Sequence, residues 1–184
     1  MSIELEPEKR EVLERINFVE RSKDLFEKNS DYDNRLKNYE VSEVAEIIKS
    51  LGYDKVKYYR SENFFKVDEV IEEDLYRVSL NISLKHGVCE FIWDGGPWGL
   101  YLRRLGADYL NIKKPAFHTY EKLSEILSVA FKMYEDYKRE LIEFYMSTKV
   151  QEDAQEDAQE DAQEEAQGGA QEDAQEDAQE GDVS

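Results

Sequence analysis

The sharpest pattern in the chain lies between residues 75 and 84, where Tyr76, Val78, Leu80, Ile82 and Leu84 alternate with Arg77, Ser79, Asn81 and Ser83. A period of two sends the apolar set to one face of a strand and the polar set to the other. The segment therefore predicts a sheet with one packed and one solvated side. Lys85-His86-Gly87 reads as a short hairpin loop, and Val88 to Asp94 as the returning strand. Upstream, residues 54–60 and 64–71 are rich in Tyr, Phe and Val, and Ser61-Glu62-Asn63 supplies a turn between them. Four strands joined by short turns over residues 54–94 predict an antiparallel meander.

Outside this region the period changes to 3.6. Pro7 suits the first turn of a helix, where its missing N–H has no partner to lose, and Glu8 and Glu11 favour the same end. Val12, Ile16, Val19 and Phe26 then recur on one face, which predicts a helix over residues 7–28. The polar stretch from Asn29 to Asn38 reads as a loop. A second helix is predicted over 41–51 from Val44, Ile47, Ile48 and Leu51, with Gly52 as its stop.

After the sheet, Asp94-Gly95-Gly96-Pro97-Trp98-Gly99 punctuates the chain. Residues 100–118 follow neither period cleanly and admit a short strand or helix from Leu100 to Leu105. Thr119 then suits an N-cap for a long helix over 120–148. Its apolar positions Leu123, Leu127, Ala130, Tyr134, Tyr137, Leu141 and Phe144 step by four and three, a heptad-like seam. Ile126, Phe131 and Tyr145 widen that face, as packing on the chain's own sheet requires. A second copy is the other occupant such a seam accepts, which would give a homodimer through residues 120–148.

Composition changes abruptly at Gln151. Residues 151–184 repeat Gln-Glu-Asp-Ala, interrupted at Glu165 and Gly168-Gly169, and carry 14 acids with no Lys or Arg. Apart from Val183 near the end this stretch has no aromatic or large apolar residue, and such a segment cannot bury enough surface to offset its ordering entropy. A period of four also stacks Glu on Glu and Asp on Asp at i,i+4. The expectation is a single α+β domain over 1–150, with two N-terminal helices, the meander and the long helix packed on it. A disordered acidic tail follows, of which the first repeat or two could extend the helix.

The tail accounts for most of the net charge of −19, leaving 29 acids against 24 bases in the body, a net of −5. Such a surface disfavours nucleic acid and anionic membranes, both of which need clustered positive charge. No run of 18 apolar residues is available to span a bilayer, and the charged N-terminus has no hydrophobic leader, so a cytoplasmic protein is expected. Cys89 is the one cysteine and sits in an apolar run, where a small buried hydrophobe is the plain reading.

Catalytic signatures are missing from the sequence. With only His86, His118 and Cys89, no zinc set of Cys and His can form, and no cofactor or metal is expected. There is no His-Glu-x-x-His, Gly-x-Ser-x-Gly, phosphate-binding Gly-x-x-x-x-Gly-Lys or dinucleotide fingerprint. His86 and Cys89 flank a tight turn without a third orienting group, a poor dyad. The expectation is therefore a non-enzyme, and what remains is recognition. Trp93, Asp94, Trp98 and Tyr101 cluster at the end of the fourth strand, beside the locally basic Arg103, Arg104, Lys113 and Lys114, with Asp108 the only acid between 95 and 120. Trp and Tyr are frequent binding anchors, though the same residues equally suit a core cap. The candidate partner-binding set is Asp94, Trp98, Tyr101, Arg103 and Arg104.

In overall format the first 150 residues resemble the immunity proteins of bacterial polymorphic toxin systems: small, acidic, α+β, rich in aromatics and without catalytic residues. The Trp-Asp-Gly-Gly-Pro-Trp segment at 93–98 is the stretch to compare first with those families. The resemblance implies a protein that binds and inhibits one cognate toxin, often a basic nuclease domain. An acidic secretion-chaperone-like protein, holding a partner segment along its sheet or helices, is the second reading.

Overall fold

The computed structural model describes residues 5–71, 76–107 and 114–176, and for residues 70, 71, 76 and 149–176 the backbone alone. The chain divides into two units, residues 1–141 and residues 142–184. The fold is α+β, with helices at both ends of a five-stranded antiparallel sheet.

The first unit begins with α1, Pro7–Arg15, and α2, Phe18–Lys28. The single helix expected over 7–28 is broken at Asn17, whose backbone is left-handed with φ 54°. Asn tolerates that conformation better than most residues, and the break lets both Ile16 and Phe18 reach the core. The next helix, α3, spans Val41–Ser50 and buries Val44 and Ile48. It stops where expected, with the Gly52 N–H donating to the Lys49 carbonyl at 2.9 Å.

The sheet runs β1 Lys57–Tyr59, β2 Phe64–Ile71, β3 Tyr76–Lys85, β4 Val88–Trp93 and β5 Gly96–Pro97, in sequence order across the sheet. Residues 54–56 lie outside β1, so that strand is shorter than expected. Val78, Leu80, Ile82 and Leu84 are buried, as their alternation predicts; the Tyr76 side chain lies outside the described residues. Across the pairings Phe65↔Ile82↔Phe91 and Leu80↔Trp93, β2 and β4 add their own inward residues to the same face. His86 and Gly87 turn the β3–β4 hairpin with φ of 55° and 72°. This is the mirror-type turn whose twist matches that of the strands.

The helix α4, Trp98–Arg104, gives the helical alternative for the segment from Leu100 to Leu105, while residues 108–113 lie outside the described residues. Last comes α5, Tyr120–Glu176, whose first turn is capped by the Thr119 hydroxyl accepting from the Lys122 N–H at 3.1 Å. Within the first unit its seam residues Leu123, Leu127, Ala130, Tyr134, Tyr137 and Leu141 are all buried. Phe144, the last residue of the seam, lies in the second unit and is half-buried. Arg21 of α2 pairs with Asp136 of α5 at 2.8 Å and holds the two helices together at the surface.

The second unit continues α5 from Ile142. The backbone stays helical to Glu176, further than the one or two repeats allowed by the sequence reading. Ala, Gln and Glu are all good helix formers, a local preference that favours this conformation.

Candidate binding surface

The segment from Asp94 to Arg104 turns inward. Asp94 and Gly95, with φ of 45° and 78°, form a two-residue hairpin that pairs Trp93 with Gly96. Asp-Gly is a favoured pair for such a turn, so the segment read as a sheet breaker also builds a fifth strand. Gly96 has no room for a side chain, because the ring and hydroxyl of Tyr101 occupy the space where a Cβ would stand. The Tyr101 hydroxyl donates to the Trp93 carbonyl at 2.7 Å. Burial, reinforced by the Asp94 charge, pushes that hydroxyl well above the usual tyrosine range.

Trp98 enters the core at 2% exposure, as does Tyr101. Its ring meets Phe91 at 4.7 Å, Trp93 edge-on at 4.9 Å and Phe18 edge-on at 5.2 Å. The anchors expected at Trp98 and Tyr101 are thus core residues and present no surface to a partner. The reason is topological: β5 and α4 fold the segment back under the helices. Asp94 is committed too, since its carboxylate accepts from the Ser79 N–H at 2.8 Å and the Tyr137 hydroxyl at 3.0 Å. It fastens the sheet to α5. Arg103 is exposed, whereas Arg104 is half-buried and its carbonyl accepts from the Arg10 guanidinium at 3.0 Å. Lys114 pairs with Glu90 at 2.6 Å. Lys113 and Asp108 lie outside the described residues.

The remaining reactive types are plainly placed. Cys89 is fully buried, which pushes its thiol up and keeps it from acting as a nucleophile. His86 and His118 are exposed at a turn and ahead of α5. Among the described residues, no group of three or more His, Cys, Asp or Glu is arranged to hold a metal ion. No helix among them is long and apolar enough to cross a membrane.

One polar cluster was not foreseen. Lys138 of α5 is only 9% exposed, and its ammonium pairs with Glu69 and Glu135 at 2.7 Å each. The same ammonium lies 4.9 Å from the Tyr134 ring centre and 5.6 Å from that of Tyr53. The Tyr53 hydroxyl donates to Glu135, and burial followed by that bond raises it far above its ordinary value. Two carboxylates and two ring faces satisfy one buried cation, so the cluster braces β2 against α5.

The open face of the sheet offers the exposed features. Opposite to the packed face, the register places Lys57 against Lys66 and then Asn81, and Tyr59 against Phe64 and then Ser83. Tyr59 is 38% exposed and its ring stacks on Phe64 at 5.0 Å and 17°. The parity of residues 57–66 could have located this pair: with Tyr58 and Phe65 read as inward, Tyr59 and Phe64 must face out. No protein-family model, curated protein or solved structure matches this chain.

Proposed function

We propose that this chain is a non-catalytic protein-binding module of the toxin-immunity type, meeting its partner through the open sheet face at β1 and β2. One observation supports the reading: Tyr59 and Phe64 stack on the solvated face. Aromatic side chains are frequent anchors of protein interfaces because they offer large contact area with few rotatable bonds. Strand pairing fixes this pair before a partner arrives, so little side-chain freedom is lost on binding. Small size, acidic charge and aromatic content support a toxin domain as the partner. In this reading the 93–104 segment is scaffold, with Asp94 and Tyr101 holding the turn that seats Trp98.

The test compares the wild-type chain with the double variant Tyr59→Ala, Phe64→Ala. Each is used to capture partners from the native host, and the captured protein is then expressed alone and with each version. The reading expects a protein that is toxic alone, rescued by the wild type and poorly rescued by the double variant, with both versions melting within a few degrees. A harmless partner, or full protection by the double variant, overturns it.

A further inference from the structure

The aromatic pair on the open face has lysines on both sides. On one side Lys57 pairs across the sheet with Lys66. On the other, Lys85 lies one same-face step beyond Ser83, the residue opposite Phe64. Same-face neighbours along a strand are about 6.8 Å apart, so Lys57 stands one such step from Tyr59 along β1, and Lys85 stands diagonal to Phe64, one step along β3 from its cross-strand partner. Among the described strand residues of this face two are acids, and each is already paired: Asp68 with Lys66 at 3.0 Å and Glu90 with Lys114 at 2.6 Å. Lys57 and Lys85 are exposed and form no ion pair among the described residues. Arg77 is also on this face but follows Glu72, Glu73 and Asp74, which lie outside the described residues; Lys57 and Lys85 are the cations of the frame. A cationic frame around an aromatic centre is unexpected in a body whose net charge is −5.

We infer that the partner segment seated here is anionic: an extended stretch with one apolar side chain on Tyr59 and Phe64, flanked by carboxylates that meet Lys57 and Lys85. This rests on the proposed face and adds the chemistry of what it takes. It also divides the electrostatics of the chain. The acidic tail and helices would repel such a segment at long range, whereas the open face attracts it locally. That contrast favours a short acidic peptide stretch over RNA, whose continuous phosphate chain would meet the net charge of −19. The chain's own repeat tail supplies the acids but lacks a large apolar residue between them, so it has nothing to place on the rings.

The experiment titrates the full chain with a ten-residue peptide holding one Phe flanked by glutamates, and follows backbone amide shifts. Its lysine counterpart, a Gln-Glu-Asp-Ala repeat peptide and oligouridylate serve as competitors. The glutamate peptide should shift the amides around Lys57, Tyr59, Phe64 and Lys85, and should bind more weakly as salt rises. The variant Lys57→Glu, Lys85→Glu should lose about tenfold in affinity or more, with Lys57→Gln, Lys85→Gln intermediate. Binding indifferent to these changes overturns the inference, as does equal or tighter binding of the lysine peptide, the repeat peptide or oligouridylate. Failures are separable in the host-partner capture. Sensitivity to Tyr59→Ala, Phe64→Ala without sensitivity to charge reversal removes the anionic partner and keeps the face. Indifference to both removes the face as well.

Discussion

Tyr101 stands where any side chain at Gly96 would have to go. The contact joins residues of two successive elements, β5 and α4, and it fixes how sharply the chain turns after the sheet. The Tyr101 hydroxyl completes the arrangement by donating to the Trp93 carbonyl. Gly96→Ala should therefore displace Tyr101 and lower the melting temperature markedly, whereas Gly95→Ala tests a different matter, the positive φ of 78° at the hairpin. A normal melting curve for Gly96→Ala would mean that the ring is free to move.

Trp98 lies inside the same aromatic cluster, with Phe18, Phe91 and Trp93 around it. Trp98→Ala is expected to cost about 3–5 kcal/mol of stability in denaturant unfolding. Any loss of partner binding by this variant should be recovered under conditions that restore its fold. A variant of normal stability that fails to bind would return Trp98 to the interface.

Leu80 sits at the centre of the packed face, fully buried opposite Trp93. Leu80→Asp places an unpaired carboxylate there and should cost several kcal/mol, enough to leave much of the chain unfolded. An unchanged melting temperature would assign the wrong face of the sheet to the core.

Asp136 gives the chain a dependence on acid. Burial alone would raise its carboxyl, but the bonds and charges of Arg21 and Arg139 outweigh this and set it below the ordinary value of 3.8. A depressed carboxyl stabilises the folded state fully above the unfolded value, and that contribution is lost as pH falls through the folded one. The wild type should lose more stability than Asp136→Asn as pH drops below about 4, and the two curves should run parallel from pH 5 to 7. Curves that stay parallel to pH 2 would show that the Arg21 pair contributes nothing.

Deleting residues 153–184 is expected to leave the melting temperature of the remaining chain unchanged, because the repeat has no large apolar side chain to bury. Its helical backbone carries like charges at i,i+4, so amide exchange there should be fast. Strong protection, or a large loss of stability on deletion, would reveal packing that the composition does not suggest.

The sequence by itself determined the elements whose pattern is strictly local. The alternation from Tyr76 to Leu84 located a strand and its inner face, Thr119 and Gly52 marked helix ends, and the seam from Leu123 to Leu141 gave the side of α5 that packs. Each of these follows from one period and one backbone geometry, which a short window contains in full. What a window cannot contain is which surface covers another. Trp98 and Tyr101 look the same in sequence whether exposed or buried; only the turn at Asp94-Gly95 and the close approach at Gly96 sent them inward. Tyr59 and Phe64 became a surface pair because the pairing of β1 with β2 set their parity and the helices covered the opposite face. Lys138 found Glu69 across 69 residues, a meeting set by packing β2 on α5. Local periodicity fixes elements because it is a property of the backbone, whereas exposure depends on distant neighbours, and those are chosen only when the layers close.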